Sequence, residues 1–134
     1  MNYWLVKQEP GSYSFSDFTK EKKTDWTGVR NYTARNNLKA MKKADKVFYY
    51  HSGEGKEVVG LATVSKTFFP DPTAKEGDWV AVELTAGKSI KNPVSLAAIK
   101  ANPKLKNIAL VRLSRLSVVP LTEDEFNEIL RMGS

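Results

Sequence analysis

Between Asp25 and Met41 the chain reads D-W-T-G-V-R-N-Y-T-A-R-N-N-L-K-A-M, and this stretch gathers the residue types best suited to gripping a planar or anionic ligand. One Trp, one Tyr, two Arg and three Asn fall within it. An aromatic face stacks on a base, an amide reads a donor and acceptor edge, and a guanidinium neutralises phosphate or stacks as a plane. Trp26 lies between Asp25 and Gly28 outside any periodic run, which suits a loop ring offered to a ligand better than a core filler. Ala34, Leu38 and Met41 recur at i, i+4 and i+7, which predicts a helix from about Asn31 to Met41 docked by a small apolar stripe. Arg30, Arg35 and Lys39 fall on or near its other side.

Little else in the chain competes as chemistry. His51 is the only His and Cys is absent, so disulfides and thiolate metal sites are excluded. No H-x-x-x-H pair and no D-x-D-x-D-G loop is present, so neither metal nor cofactor is expected. G-x-G-x-x-G, the Walker sequence and G-x-S-x-G are missing too. Catalysis would have to use His51 beside Ser52, or Lys7 with Glu9, and neither pair has an identifiable third group to orient it. The expectation is therefore not an enzyme. His51 ends an aromatic run after Tyr49 and Tyr50, where a hydrogen-bonded structural imidazole and a polar pocket wall are both served. Trp4 and Trp79 fall in strand patterns and read as core.

The formal net charge is +6, and it is unevenly spread. Residues 1–50 carry ten Lys and Arg against five Asp and Glu, whereas the remaining 84 carry eleven against ten. A one-sided basic field favours an anionic partner, nucleic acid first, with headgroups or an acidic protein behind it; a merely soluble basic surface accounts for the charge as well. At 134 residues the chain fits one domain, 1–134, able to bury its own core. Met1 to Val6 runs at once into Lys7 and Glu9, far short of a signal-peptide core or a spanning helix. The expectation is a protein without membrane contacts, cytoplasmic or nuclear according to its source, and monomeric.

The elements that must position these residues follow from pattern. Asn2–Lys7 predicts a first strand, stopped by Pro10-Gly11, and Ser14–Lys23 a short helix with Asp17 completing a weak capping box and Lys20 to Lys23 as its solvated end. Gly28 offers a joint before the Asn31 helix. Asp45–Ser52 and Glu57–Phe69 read as strands flanking a Gly53-Glu54-Gly55 hairpin, the second apolar enough for burial on much of both faces. Pro70-Asp71-Pro72 breaks the run, Asp78–Thr85 alternates as a third such strand with Val80, Val82 and Leu84 sharing a face, and Ser95–Lys100 is a short helix. Leu113–Val119 predicts a further strand, and Thr122 with Glu125 caps a last helix whose inward face is Phe126, Ile129 and Leu130. About five strands and three or four helices without βαβ spacing give an α+β fold with a small, mostly antiparallel sheet curled toward a barrel.

Six dispersed motifs, N-Y-W-L-V-K-Q-E-P, D-W-T-G-V-R-N-Y-T-A-R-N-N-L, F-Y-Y-H-S, F-F-P-D-P-T, P-V-S-L and L-V-R-L-S-R-L-S-V-V-P-L-T, resemble the EVE domain family over essentially the whole chain. The resemblance implies the PUA-like fold, a small curled β-barrel flanked by short helices. It also implies a non-enzymatic reader of a modified base flipped into an aromatic pocket, with modified cytosine in DNA the favoured ligand and modified RNA the rival. An enzyme acting on a nucleotide conjugate and a protein-interaction module stand behind these. Carried over by position, the pocket would involve Lys7, Gln8, Glu9 and Pro10; Trp26, Val29, Arg30 and Asn31; Arg35 and Asn36; Tyr50, His51 and Ser52; and Arg112, Ser114 and Arg115 flanking from the late strand. One departure falls in the pocket: the family's usual K-S-E-P is here Lys7-Gln8-Glu9-Pro10, a small hydroxyl replaced by a longer amide.

Overall fold

The computed structural model describes residues 1–53 and 55–134; Glu54, and with it the centre of the expected hairpin, lies outside the described residues. In chain order the elements are β1 (Tyr3–Gln8), α1 (Phe15–Glu21), β2 (Lys23–Trp26), α2 (Tyr32–Ala40), β3 (Lys46–His51), β4 (Glu57–Pro70), β5 (Val80–Ser95), α3 (Leu96–Ala101), a 3₁₀ turn (Pro103–Leu105), α4 (Ala109–Arg112), β6 (Val118–Leu121) and α5 (Glu123–Met132). Helices α1, α2, α3 and α5 begin where a side chain satisfies a free N–H group of the first turn, whereas α4 starts at Ile108 without such a cap. Ser14 and Asp17 exchange both bonds of a capping box at α1, Thr122 and Glu125 do so at α5, and the Asn31 side chain accepts the Ala34 N–H at 2.9 Å to start α2. Ala34, Leu38 and Met41 are buried as their spacing requires.

The strand order is β2-β5-β4-β3-β1-β6, with β1 and β3 parallel and every other neighbour antiparallel. This is the expected α+β class, and register shifts along β4 and β5 bend the sheet strongly. The sheet does not close into a complete barrel: β2 and β6 remain its edges. Helix α2 lies against both β5 and β6, and the Asn37 amide donates to Val118 O at 2.7 Å, so a helix covers ground that a ladder would occupy in a closed barrel. Pro120 sits in edge strand β6, where a missing N–H is tolerated.

Four local expectations change. Lys20 to Lys23 is not one solvated helix end; Lys22, at φ 70°, stops α1, and Lys23–Trp26 is recruited as a strand by β5. β4 is not buried on both faces: burial alternates as far as Val64, and most of the remainder is exposed. β5 runs on from the expected segment through polar residues to Ser95, because its long ladder with β4 stabilises backbone that has no strand pattern of its own. The late strand is displaced; Ala109–Arg112 is helical, Leu113–Arg115 a turn, and pairing with β1 selects Val118–Leu121. Among the described residues no helix is long and apolar enough to cross a membrane.

Candidate functional site

Parallel pairing of β1 with β3 brings their carboxyl ends side by side, with Lys7 opposite Tyr50 and Gln8 opposite His51. The Ser52 N–H donates to Gln8 O at 3.0 Å and extends this junction. Because successive strand side chains point to opposite faces, Lys7 and Gln8 serve different hollows. Gln8 lines one of about 240 Å³ with Tyr13, Thr24, Asp25, Trp26 and Thr27. Lys7 lines one of about 310 Å³ with Tyr50, Ser52 and Ser114, joined by Lys56 and Lys100. Glu9 and Pro10 border a third hollow with Ser52 and Gly53, and Asn31, Ser114 and Arg115 a fourth with Thr33 and Leu116. Ser52 and Ser114 are each shared between neighbouring hollows, so three of the four adjoin, while that of Gln8 shares no lining residue with them.

The Gln8 hollow meets an aromatic floor through Trp26. Tyr49 is fully buried, with the rings of Phe15, Phe18 and Trp26 at 5.4, 5.5 and 5.5 Å and its hydroxyl donating to Tyr13 O. Burial pushes the Tyr49 hydroxyl far above its ordinary range. The Phe15 ring lies where any Cβ on Gly60 would sit, which fixes glycine at that point of β4. Trp26 belongs to this floor. It is 5% exposed and paired with Val82 in β2, so the reading of an exposed loop ring is corrected; only its margin reaches the Gln8 hollow. Lys7 Nζ donates to Ser114 O at 2.9 Å and lies 5.9 Å from the Tyr50 ring; burial lowers its pKa and raises that of the Tyr50 hydroxyl.

His51 lines none of these four hollows. Its Nε2 accepts the Phe15 N–H at 3.0 Å and so anchors the first turn of α1, while burial depresses its pKa against a smaller opposing pull from Glu57. Of the two readings of this imidazole, the structural one fits the hydrogen bond it makes. Val29 is a core residue. Arg112 donates to Asn107 O at 2.8 Å from the end of α4 rather than from a strand. Arg30, Arg35 and Asn36 gather on another face. The Arg30 guanidinium bonds Asp71 at 2.9 Å and lies 5.6 Å from the Trp79 ring, and Arg35 bonds the Asn36 amide at 3.0 Å. Trp79, expected in the core, is only half-buried and precedes β5.

Two groups escaped sequence reasoning. Tyr13, Thr24, Asp25 and Thr27 complete the Gln8 hollow, but the strand presenting three of these or their neighbours is four residues long, too short for periodicity to mark it. Asp71 looked like turn chemistry. Its carboxylate instead accepts from the Gly28 N–H at 2.8 Å, Arg30 at 2.9 Å, and the Thr73 N–H and hydroxyl at 2.7 Å each. Burial pushes the Asp71 carboxyl up, but the Thr73, Gly28 and Arg30 bonds outweigh it and hold the group at about 2. Gly28, at φ +83°, turns its N–H to Asp71 in a conformation L side chains rarely adopt. The placement of Arg30 and the entry to α2 thus depend on a residue 41 positions from Arg30, for which F-F-P-D-P-T was the available signal.

Known proteins share this fold. Thymocyte nuclear protein 1 of Mus musculus is 35% identical over 165 aligned positions covering 98% of this chain and 73% of the mouse protein. Those positions outnumber the 134 residues here, so the mouse protein carries extra segments inside the shared region. A crystal structure of an Agrobacterium tumefaciens protein is 48% identical and superposes with a TM-score of 0.96 over 100% of this chain and 94% of that one. The human THYN1 protein, solved in complex with 5-methylcytosine-containing DNA, is 31% identical with a TM-score of 0.93 over 100% of this chain and 98% of that one. The EVE domain model matches residues 2–132, nearly the full length over which the six motifs and the six-stranded open sheet are laid out. On these grounds the chain belongs to the EVE domain family.

Proposed function

We propose that this protein binds nucleic acid without catalysing a reaction on it and reads a modified base, a modified cytosine in DNA ahead of modified RNA, flipped into the hollow of Gln8, Asp25 and Trp26. The observation that carries the reading is the human relative's structure with 5-methylcytosine-containing DNA, at a TM-score of 0.93 to this chain. The hollow's chemistry supports it. A carboxylate such as Asp25 accepts from the cytosine amino group, the Gln8 amide offers both a donor and an acceptor to the base edge, and the margin of Trp26 meets a 5-methyl group. At about 240 Å³ the hollow suits one ring system, less than the roughly 300–1,000 Å³ of drug-sized sites. Extruding the base costs a few kcal/mol, which the floor and edge contacts offset. Lys7, Lys56, Lys100 and Arg115 stand around two further hollows joined through Ser114, where phosphates of the same strand would run. A non-catalytic role is supported by His51, whose free lone pair is taken by the Phe15 N–H.

Fluorescence anisotropy on oligonucleotides that differ by one 5-methyl group, as DNA and as RNA, tests this. Methylated DNA should bind about fourfold tighter than unmodified DNA, the worth of one buried methyl at roughly 0.8 kcal/mol. Gln8→Ala should weaken both by about tenfold with the melting temperature unmoved, as removal of an edge-reading amide requires. Equal affinity for methylated and unmethylated DNA, or unchanged affinity in Gln8→Ala, overturns the reading. Gln8 is the position for this test because truncating Trp26 would open the core.

A further inference from the structure

Large side chains with apolar bodies that remain in water need a physical account, and two of them share one patch on the outer side of α2. Tyr32 is 68% exposed and Phe68 is 47% exposed. Tyr32 stacks on Trp79 with centroids 5.2 Å apart and planes 20° from parallel. The Arg35 guanidinium carbon lies 5.1 Å from the Tyr32 centroid and 5.9 Å from that of Trp79. These three distances close a nearly equilateral triangle, so Arg35 sits beside both rings; on the far face of Tyr32 it would be much farther from Trp79. The outer face of Tyr32 is therefore open to solvent. Arg30 supports Trp79 at 5.6 Å, and Lys39 lies 6.0 Å from the Phe68 ring.

We propose that this stack is a second contact surface for nucleic acid, in which the open face of Tyr32 takes an unpaired base and Arg35 and Lys39 meet the phosphates beside it. The proposal rests on the nucleic-acid reading above. An apolar partner would have to strip water from the cations around the rings, whereas a nucleotide supplies a π-face for Tyr32 and charge for the cations. Position supports it as well. Asn31 and Thr33, on either side of Tyr32 in sequence, line the hollow shared with Ser114 and Arg115, so the start of α2 presents the stack and that hollow on different faces. A strand crossing the start of α2 meets both. Asp78 binds Lys39 at 2.6 Å and Arg35 at 3.7 Å, and buried Asp71 binds Arg30, so part of the cationic charge is already offset. Stacking is thus the main contribution of this surface.

The test is anisotropy with single-stranded DNA carrying cytosine or 5-methylcytosine, comparing the parent with Tyr32→Ala and Phe68→Ala, both truncations of exposed side chains. Tyr32→Ala should lose about 5- to 150-fold in affinity for both strands, the range of one base–aromatic stack, with the methyl preference and melting temperature unchanged. An abasic scan of the flanking nucleotides should find one position that weakens the parent and leaves Tyr32→Ala indifferent; Phe68→Ala should lose less. Parental affinity in Tyr32→Ala, or abasic losses equal in parent and variant, overturns the proposal. Loss in Tyr32→Ala without any methyl preference in the parent supports this surface while sinking the modified-base reading. Methyl preference in the parent with full affinity in Tyr32→Ala does the reverse. A parent that binds no oligonucleotide sinks both.

Discussion

The side chain of Asp71 is completely buried, and its four hydrogen bonds tie the turn after β4 to Gly28 and Arg30. Asp71→Ala would remove the acceptor shared by the Gly28 and Thr73 N–H groups and release Arg30, which should cost about 2 kcal/mol in urea unfolding. The same group sets an acid limb. Its folded pKa, about 2, lies below the ordinary 3.8, so the stabilisation is present above pH 3.8 and lost as pH falls toward 2. Asp71→Asn should flatten that limb, and an unchanged slope between pH 4 and 2 would count against the assignment. Gln8 and Trp26, neighbours in one hollow, divide the work differently: the half-buried amide offers its polar atoms to the hollow, whereas the buried indole is committed to the aromatic cluster with Tyr49.

Two elements owe their place to single bonds or ladders rather than to their own pattern. Helix α1 is seven residues long, too short to persist alone, and is held by its capping box, by Phe15 and Phe18 in the core, and by the Phe15 N–H bond to His51. Burial depresses the His51 pKa below the ordinary 6.5, so the unfolded chain takes up the proton first. Stability should be full above pH 6.5 and decline as pH drops through the folded value, with α1 loosening as the acceptor is lost. Since His51 is the only His, His51→Gln should abolish the pH dependence of urea unfolding between about 5 and 7; a slope that persists in the variant would assign it to other groups. Strand β2, K-T-D-W, has no strand pattern at all, and the β5 ladder imposes one, turning Trp26 inward.

Over the molecule as a whole, cations far apart in the chain gather in a ring around two hollows. Lys7, Lys56, Lys100 and Arg115 come from β1, the turn before β4, α3 and the turn after α4, and they border hollows joined through Ser114. If these four meet phosphates, the logarithm of the DNA association constant should fall with log salt at a slope of about −3 to −4. Lys56→Gln with Lys100→Gln should reduce that slope by about 2 without altering the methyl preference. A titration from 50 to 300 mM salt decides it, and a near-zero slope in the parent would remove the ring from the interface.

Sequence by itself determined the features whose causes are local. The caps at Ser14, Asn31 and Thr122, the apolar stripe of α2, the mixed class and mostly antiparallel sheet, and the six family motifs all follow from neighbours within a few residues. Tertiary structure alone decided the features whose causes lie far apart in the chain. It made Trp26 core and left Trp79 half-exposed against Tyr32, because burial is fixed by which strand pairs with β5 and where the β4–β5 turn folds over α2. It left the sheet open, with α2 against β5 and β6. It also turned Lys7 and Gln8, adjacent in sequence, into walls of two separate hollows, since strand alternation assigns faces only once the strand has partners on both sides.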